Sequence, residues 1–281
     1  MAISITSNIA SLLAQNNLSV TNINLNKAIS RLSSGSRLDS AQDDPAGLAI
    51  SEKLKSQVVG LNQAKRNAED GISALQVAEG GMQEVGAILI RMKELALQAA
   101  NDTLSNDDRG FLNTEFIQLK NEINRIAVST KFNGNAVLSG GYSVNGLTLQ
   151  VGLTENSSDL MTVNITSVHT TALGSTTTKL SAVTISQSSG QARDMLKYIE
   201  KAISDISEAR SQVGSQLSRL NSTIRNLGTT SMNLTAANSR IRDTDVAQET
   251  AELTKNQILM QAGVNVLAQA NSAPQMVLSL I

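Results

Sequence analysis

The sequence predicts a mainly α-helical protein. Its N-terminal and C-terminal halves form a long antiparallel helical bundle or coiled coil, with a small insert that contains a β-hairpin. Three observations predict this fold class. Apolar residues recur every seven positions in both halves, aromatic residues make up only 2% of the chain, and the helical period is lost between about Val137 and Ser189. A core of Leu, Ile, Val, Met and Ala suits closely packed helices better than a pocket for a flat ligand.

The first long helix is predicted from Pro45 to Asn101, because Asp44 fits an N-cap and Pro45 the first helical position. One apolar stripe consists of Leu54, Leu61, Ala68, Leu75, Met82, Leu89 and Ala96. A second stripe, three residues later, consists of Ala64, Gly71, Ala78, Val85, Met92 and Ala99. These heptads predict a coiled-coil seam of about six heptads on a helix about 80 Å long. The small residues of the second stripe predict an unusually close helix approach.

Other helices follow from the same period. A shorter helix is predicted where apolar residues alternate by fours and threes, at Leu112, Phe116, Leu119, Ile123 and Ile126, with Ser105 and Asp108 as a capping pair before it. A second long helix is predicted from the strict heptads of Ala192, Ile199, Ile206, Val213, Leu220, Leu227, Leu234 and Ile241. Terminal helices are predicted from Leu18, Leu25 and Leu32, and from Val246, Leu253, Met260 and Leu267. Asp245 and Gln248 make a plausible capping box for the last of them.

The middle of the chain has a different pattern. Apolar and polar residues alternate at 147–151 and again at 161–165, which predicts two short strands. Asn145-Gly146 is a strong two-residue hairpin signal. The Ser- and Thr-rich stretch past Thr170 is expected to form a loose loop.

The heptad pattern breaks at Gly35, at 39–47 and at 241–244, at similar distances from the two ends. We interpret this as a chain that folds back on itself. The expected domains are a terminal coiled coil of 1–44 plus 243–281, a helical bundle of 45–137 plus 189–242, and an insert of 138–188 that is β-rich or loop.

Charge is distributed unevenly. The 23 basic and 24 acidic residues give a formal net charge of −1, which predicts neither nucleic-acid binding nor strong self-repulsion. No ionisable side chain occurs before Lys27 or after Lys255, so 26 residues at each end are uncharged. Polar residues interrupt both ends too often for a membrane span or a cleavable signal peptide. Such apolar, uncharged ends need a cover, which favours self-association.

Catalytic chemistry is not expected. The chain has no cysteine and one histidine, so it cannot build a thiol site or a multi-histidine metal site. Asp43 and Asp44 could be a carboxylate pair for acid/base work, but no further acid or base lies nearby in sequence, so we interpret them as a turn and a helix cap. His169 is expected to be a surface residue. We therefore expect no enzyme, no cofactor and no metal.

Several segments resemble the bacterial flagellin family. At the N-terminal side they are Arg31-Leu-Ser-Ser-Gly-Ser-Arg-Leu38, Ser40-Ala-Gln-Asp-Asp-Pro-Ala-Gly-Leu-Ala-Ile50, Asn67-Ala-Glu-Asp-Gly-Ile-Ser73, Arg91-Met-Lys-Glu-Leu-Ala96 and Thr130-Lys-Phe-Asn-Gly134. At the C-terminal side they are Ser239-Arg-Ile-Arg-Asp-Thr-Asp245, Gln257-Ile-Leu-Met-Gln-Ala-Gly263 and Val266-Leu-Ala-Gln-Ala-Asn271. The resemblance covers about 1–152 and 189–281, and the short middle implies a form without large outer domains. It also implies that the insert of 138–188 faces outward.

The resemblance implies a structural subunit of the extracellular flagellar filament, a helical homopolymer that serves motility. It implies folding of the terminal helices on assembly, type III export without a cleaved signal peptide, a chaperone on the C-terminal helix, and hook-associated and cap proteins as partners. The residues expected to be buried against neighbouring copies are Leu18, Leu25, Leu32, Val264, Leu267, Val277 and Leu280. Arg91, Leu95 and Glu115 match positions through which some flagellins are sensed by a Toll-like receptor.

Two alternatives stay open at this stage. A hook–filament junction protein resembles flagellin at both ends, although the dense match across 43–50 and 257–271 favours flagellin. A lipid-surface binder could use amphipathic ends, but Lys and Arg are absent from the outermost segments, so a membrane partner is not expected.

Overall fold

The structure is a computed structural model and describes residues 7–174, 178–186 and 188–278, with side chains for these except 273–278. The chain forms two compact units. Unit 1 contains 1–58 and 232–281, and unit 2 contains 59–231. These divisions fall inside the two longest helices, α2 (Pro45–Ala99) and α4 (Ser189–Arg242). The three domains expected from the sequence stay a prediction.

In unit 2 the helices α2 and α4 run antiparallel. Lys93 Nζ lies 2.9 Å from Glu200 Oε1, and Ser231 Oγ donates to Asn62 Oδ1 at 3.2 Å. The heptad positions meet in one core, in which both α2 stripes are buried from Leu61 to Ala99 and the α4 stripe is buried from Ala192 to Leu227. The predicted mainly α fold and its long helices are therefore confirmed. The N-cap is confirmed as well, since Gly47 N donates to Asp44 Oδ1 at 2.9 Å.

Helix α3 (Asn106–Ser129) begins with the predicted capping box, in which Ser105 and Asp108 exchange hydrogen bonds. A feature missed by the sequence reasoning is Arg109, which is only 6% exposed. Its Nε donates to the Ala99 carbonyl at 2.9 Å, at the C-terminal end of α2. A cation at this point satisfies carbonyls that the helix leaves unpaired and complements its dipole.

The insert contains one hairpin and a second, shorter hairpin precedes it, and here the expected turn is wrong. Strand β3 (Leu147–Gln150) pairs antiparallel with β4 (Leu160–Val163), but 151–159 connect them, and Asn145-Gly146 precede β3. The tight Asn-Gly turn is instead Asn133-Gly134, between β1 (Lys131–Phe132) and β2 (Asn135–Ala136). Both turn residues have positive φ, 48° and 83°, as a two-residue hairpin turn requires.

The insert packs onto α2 through glycines. A Cβ added to Gly60 would lie 2.5 Å from Leu153 Cδ2, and one added to Gly81 would lie 2.6 Å from Leu138 Cδ1. A Cβ on Gly71 would collide with Leu149 Cδ1. The close approach predicted from small residues on α2 therefore occurs at Gly71, but its partner is a leucine of β3.

The stretch past Thr170 is not the loose loop that was expected, in its described parts 170–174 and 178–186. Leu173, Leu180, Val183 and Ile185 are buried in the core of unit 2. Lys120 of α3 donates to the Val183 carbonyl at 2.9 Å and to the Ser181 carbonyl at 3.0 Å. Ser and Thr supply few apolar atoms, but the larger aliphatic residues between them, Leu173, Leu180, Val183 and Ile185, are all buried.

Candidate assembly surface

Unit 1 is built around two terminal helices, α1 (Ile9–Ser34) and α5 (Val246–Leu278), which pack on each other. At one end of α1, the Asn8 side chain accepts from Ser11 N at 3.1 Å as N-cap and donates to the Ala270 carbonyl at 2.8 Å. At the other end, Gly35 closes α1 in the left-handed conformation with φ of 68°. The two uncharged ends of the chain are thus partners within one subunit.

The seam between α1 and α5 buries little apolar surface. Its buried side chains are small or polar, namely Ser11, Ala14, Ala28 and Asn256. Leu18 lies over Gly263, where an added Cβ would come within 3.0 Å of Leu18 Cδ2. Large apolar side chains are therefore left on the outside of the pair.

Among the described side chains of α1 and α5, eleven large aliphatic ones are exposed. They are Ile9, Leu12, Leu13, Val20, Ile23 and Ile29 on α1, and Val246, Ile258, Leu259, Val264 and Val266 on α5. Most of them lie in the uncharged ends, where their neighbours along the chain are polar or apolar but not ionisable. Soluble monomers seldom keep such contiguous patches exposed, and patches of this kind mark association sites.

The residues predicted for assembly divide into three groups. Leu18, Leu25, Leu32 and Leu267 are half-buried within the subunit, and Val264 is 53% exposed. Val277 lies in α5, where its side chain is not described, and Leu280 lies outside the described residues. Their burial against neighbours stays a prediction. The sequence reasoning missed most of the exposed aliphatic residues because it followed the heptads, whereas the signal for them was apolar residues between the heptad positions.

In unit 1, backbone hydrogen bonds join the segment that links α1 to α2 with the segment that links α4 to α5. Arg37 N donates to the Arg242 carbonyl at 2.6 Å, and Thr244 N donates to the Gly35 carbonyl at 3.0 Å. Arg242 also forms an ion pair with Glu52 at 2.7 Å. The segment that links α1 to α2 and the segment that links α4 to α5 are therefore hydrogen-bonded to each other. We call these two crossings, at 35–37 and 242–244, the junction.

Charged side chains surround the junction. Asp43 accepts from Lys27 and lies 3.5 Å from Arg31, which in turn lies 3.9 Å from Glu249 of α5. The hydrogen bond from Lys27 holds the pKa of Asp43 below its ordinary value of 3.8. Asp245 caps α5 by accepting from Ala247 N at 2.9 Å and from Gln248 N at 3.3 Å, which confirms the capping role predicted for Asp245.

These ion pairs and hydrogen bonds also determine the roles of Asp43 and Asp44. Asp43 is an ion-pair partner and Asp44 is the N-cap of α2, so neither is placed for acid/base chemistry. Among the described residues no group of three or more His, Asp or Glu side chains could hold a metal ion. No helix in the described ranges is long and apolar enough to cross a membrane.

Other predicted positions lie in unit 2. Arg91 and Glu115 are exposed and form an ion pair at 3.0 Å, but Leu95 is only 1% exposed and belongs to the core. Leu95 was expected at the surface with them, and its heptad neighbourhood places it inward. His169, also expected at the surface, is half-buried with Nδ1 3.3 Å from Asn124 Oδ1.

Two family models match the chain. The bacterial flagellin N-terminal helical region matches residues 5–143, and the bacterial flagellin C-terminal helical region matches residues 196–281. Together they cover α1 to α3, β1 and β2, and most of α4 with α5. The unmatched middle holds β3 and β4.

Relatives match over nearly their full lengths. A flagellin of Halalkalibacterium halodurans is 44% identical over 262 residues, which are 92% of this chain and 93% of that protein. A flagellin of Bacillus subtilis is 39% identical over 300 residues, and flagellin FlaB1 of Treponema pallidum is 38% identical over 280 residues, each covering 98% of both chains. A crystal structure of Bacillus cereus flagellin has a TM-score of 0.48 and 32% identity, over 62% of this chain and 94% of that one.

These matches extend through both terminal helices and the bundle, and they do not favour the hook–filament junction alternative. The family is one of structural proteins, so the chain is not an enzyme. On the strength of both family models and of relatives that align from end to end, the chain belongs to the bacterial flagellin family.

Proposed function

We propose that this chain is a subunit of the extracellular bacterial flagellar filament and that it polymerises by burying the exposed apolar faces of α1 and α5 against other copies. The observation that carries the proposal is the set of eleven exposed aliphatic side chains on these two helices. The curated relatives support the filament, since they are named flagellins and flagellar filament core proteins. The structure supports the mechanism through the contrast between the two units.

Unit 2 already buries its heptad residues. From Leu75 to Ala99 both stripes of α2 are at most 1% exposed, so no apolar heptad face there awaits a partner. The α1–α5 pair buries only small or polar side chains, and it is held mainly by a seam of half-buried leucines. A pair of helices that buries so little apolar surface becomes more ordered when neighbouring copies cover its outer faces.

The free energy gained by burying these side chains is large enough to drive association. Burying one exposed Val, Leu or Ile contributes about 1.5–3 kcal/mol. Because the eleven side chains are partly covered already, their burial in a filament contributes on the order of 10–20 kcal/mol. Association costs about 4–15 kcal/mol in lost freedom. The terminal helices alone can therefore offset this cost.

We also propose partners other than further copies of this chain. An export chaperone that covers the C-terminal helix would shield Ile258, Leu259 and Val264 before assembly. Cap and hook-associated proteins would meet the same faces at the ends of the filament. Recognition by a Toll-like receptor would use exposed Arg91 and Glu115, and Leu95 would act only by supporting them from the core. Export without a cleaved signal peptide belongs to the same proposal.

Truncation tests the central claim. A chain that lacks residues 1–30, and another that lacks 252–281, should each be a soluble and largely helical monomer, because unit 2 keeps its core. Neither should form filaments in electron micrographs under conditions in which the full chain does. Filaments formed by either truncated chain would refute the proposal.

Point variants sharpen this test. Ile23→Ser and Val264→Ser remove exposed apolar side chains from α1 and α5, and we expect each to raise the critical concentration for polymerisation. Val128→Ser is the matched control, since Val128 is equally exposed but lies on α3 of unit 2. Equal critical concentrations for all three variants would contradict a role confined to the terminal helices.

A further inference from the structure

The chain has two Asn-Gly pairs, Asn133-Gly134 just before the insert and Asn145-Gly146 within it. In an Asn-Gly pair the backbone nitrogen of the glycine can attack the side-chain amide of the asparagine, because glycine has no side chain to shield that nitrogen. Ammonia leaves, and the succinimide ring that forms is opened by water to aspartate or isoaspartate. The two pairs share this chemistry, but the structure holds them in different conformations.

The hairpin turn keeps Asn133 from reacting. Asn133 and Gly134 have φ of 48° and 83° and lie between two paired strands, which fits a type I′ turn. In this turn the first central residue has ψ of about +30°. At that ψ the nitrogen of Gly134 lies almost opposite Cβ of Asn133 across the Cα–C bond. It therefore cannot reach the side-chain amide until the turn opens.

Asn145 is not held in such a turn. Its φ is not positive, unlike that of Asn133, and the residue is exposed beside Val144, which is 87% exposed. Within the described chain no group accepts a hydrogen bond from the N–H groups of 144–146, and the side chain of Asn145 has no hydrogen-bond partner there. Rotation of this segment into the reactive geometry therefore breaks none of these bonds.

The strand pairing leaves the attacking nitrogen free as well. Val151 N donates to the Asp159 carbonyl at 2.8 Å. Hydrogen-bonded positions alternate along an antiparallel strand, so the odd-numbered residues of β3 direct their N–H groups at β4. The N–H of Gly146, one residue before β3, consequently points away from β4.

Packing of the insert requires glycine at position 146. Gly146 has φ of 63°, a conformation that disfavours other residues. An added Cβ would also collide with Thr162 Cγ2 and lie 2.5 Å from Asn164 Oδ1. The residue that makes Asn145 reactive is thus one that the fold needs.

We propose that Asn145 is a site of spontaneous deamidation in the folded chain and that Asn133 is protected. A bond forms from Gly146 N to Asn145 Cγ while the bond from Cγ to the amide nitrogen breaks, and the proton from Gly146 N leaves with that nitrogen as ammonia. Water then breaks one of the two ring C–N bonds, which gives aspartate or isoaspartate. Each event consumes one water and adds one negative charge to a chain of formal net charge −1.

Peptide mapping of the full-length chain tests the proposal. Both pairs lie in one tryptic peptide, 132–179, so fragment ions report both asparagines in the same molecule. The folded, dilute monomer is incubated in a mildly alkaline buffer, which favours loss of the proton from the attacking nitrogen. We expect Asn145 to be converted at least about tenfold faster than Asn133, because the turn at Asn133 must open first. Equal rates, or a faster reaction at Asn133, would overturn the inference.

The same chain in concentrated urea separates the effect of the fold from that of the local sequence. Glycine follows both asparagines, so without the fold their rates should agree within about threefold. A tenfold preference for Asn145 that persisted in urea would also overturn the inference, since the turn would then not be its cause.

Released ammonia gives an independent readout. Asn145→Gln should abolish most of the release from the folded chain, because a glutamine would have to close a larger ring. Asn156→Gln is the matched control, since Asn156 is an exposed asparagine of the same insert that precedes a serine. It should release ammonia at the natural rate. Undiminished release from Asn145→Gln would place the reaction elsewhere and defeat the proposal.

Discussion

Replacing Gly71 by alanine tests whether the insert is held by the glycines of α2. Gly71 is buried in the middle of α2, and an added Cβ would collide with Leu149 Cδ1 of β3. Gly80 lies in the same helix and is exposed, and a Cβ there would meet no atom within 4 Å. Gly71→Ala and Gly80→Ala are therefore the same chemical change in two different surroundings.

The magnitude follows from two opposing terms. In a helix interior, Gly→Ala stabilises by about 1 kcal/mol through helix propensity alone. At Gly80 we expect this full gain. At Gly71 the forced displacement of the Leu149 side chain costs about 1–3 kcal/mol. We therefore expect Gly71→Ala to lower the free energy of unfolding by up to about 2 kcal/mol.

Urea unfolding of the dilute monomer, followed by circular dichroism at 222 nm, measures both changes. Leu149→Ala provides the control, because it removes the atoms that the new methyl group would meet. In that background Gly71→Ala should stabilise by about 1 kcal/mol, as at Gly80. The reasoning fails if the two glycine variants behave alike in the natural background, or if Leu149→Ala leaves the effect of Gly71→Ala unchanged.

Two further variants test single interactions. Arg109→Ala should lower the free energy of unfolding by about 2–4 kcal/mol in the same urea assay, because it strands buried carbonyls at the end of α2, whereas Arg125→Ala, which removes only an exposed ion pair, should cost less than about 1 kcal/mol. The pKa of Asp43 is lower in the folded chain than its ordinary value of 3.8. Its stabilisation is therefore complete above that value and is lost as pH falls through the lower folded pKa. Asp43→Asn should reduce the loss of stability between pH 5 and about 2 measured by acid titration, and an unchanged loss would contradict this role of Asp43.

The heptads predicted most of unit 2, for a physical reason. A seven-residue period allows a long helix to present one continuous stripe, and the stripes of α2 and α4 could be buried only against each other and against α3. The capping residues Asp44, Ser105 and Asp245 were equally readable, because each cap is a local hydrogen bond. Local and repetitive signals therefore sufficed for the helices.

Other features depended on distant contacts that have no local signal. Two Asn-Gly pairs occur, one just before the insert and one within it, and both glycines have positive φ, but only Asn133-Gly134 joins paired strands. Which pair forms the hairpin depends on what lies opposite each flanking strand. Leu173 and Val183 likewise become buried because Lys120 and Asn124 of α3 supply hydrogen bonds to the segment that carries them.

The candidate assembly residues show a further limit. A heptad residue is predicted to be buried, but the pattern does not say whether its partner is the same chain or another copy. Leu18, Leu25 and Leu32 are half-buried in the α1–α5 pair, so part of their apolar surface is already covered within the subunit. Ile23, Val264 and their exposed neighbours carry the larger uncovered area, and only the structure separates the two sets.

The junction explains how two units with different demands can belong to one chain. Unit 2 buries its heptad residues in its own core, whereas the α1–α5 pair leaves large aliphatic side chains uncovered and gains stability from neighbours. Backbone pairing of Arg37 with Arg242 and of Gly35 with Thr244 ties both crossings together, so we expect α1 and α5 to become ordered together. A neighbour that covers either helix therefore stabilises both. In consequence, weakening the junction, for example through Arg242 and its partner Glu52, should reduce the cooperativity of polymerisation more than the stability of unit 2.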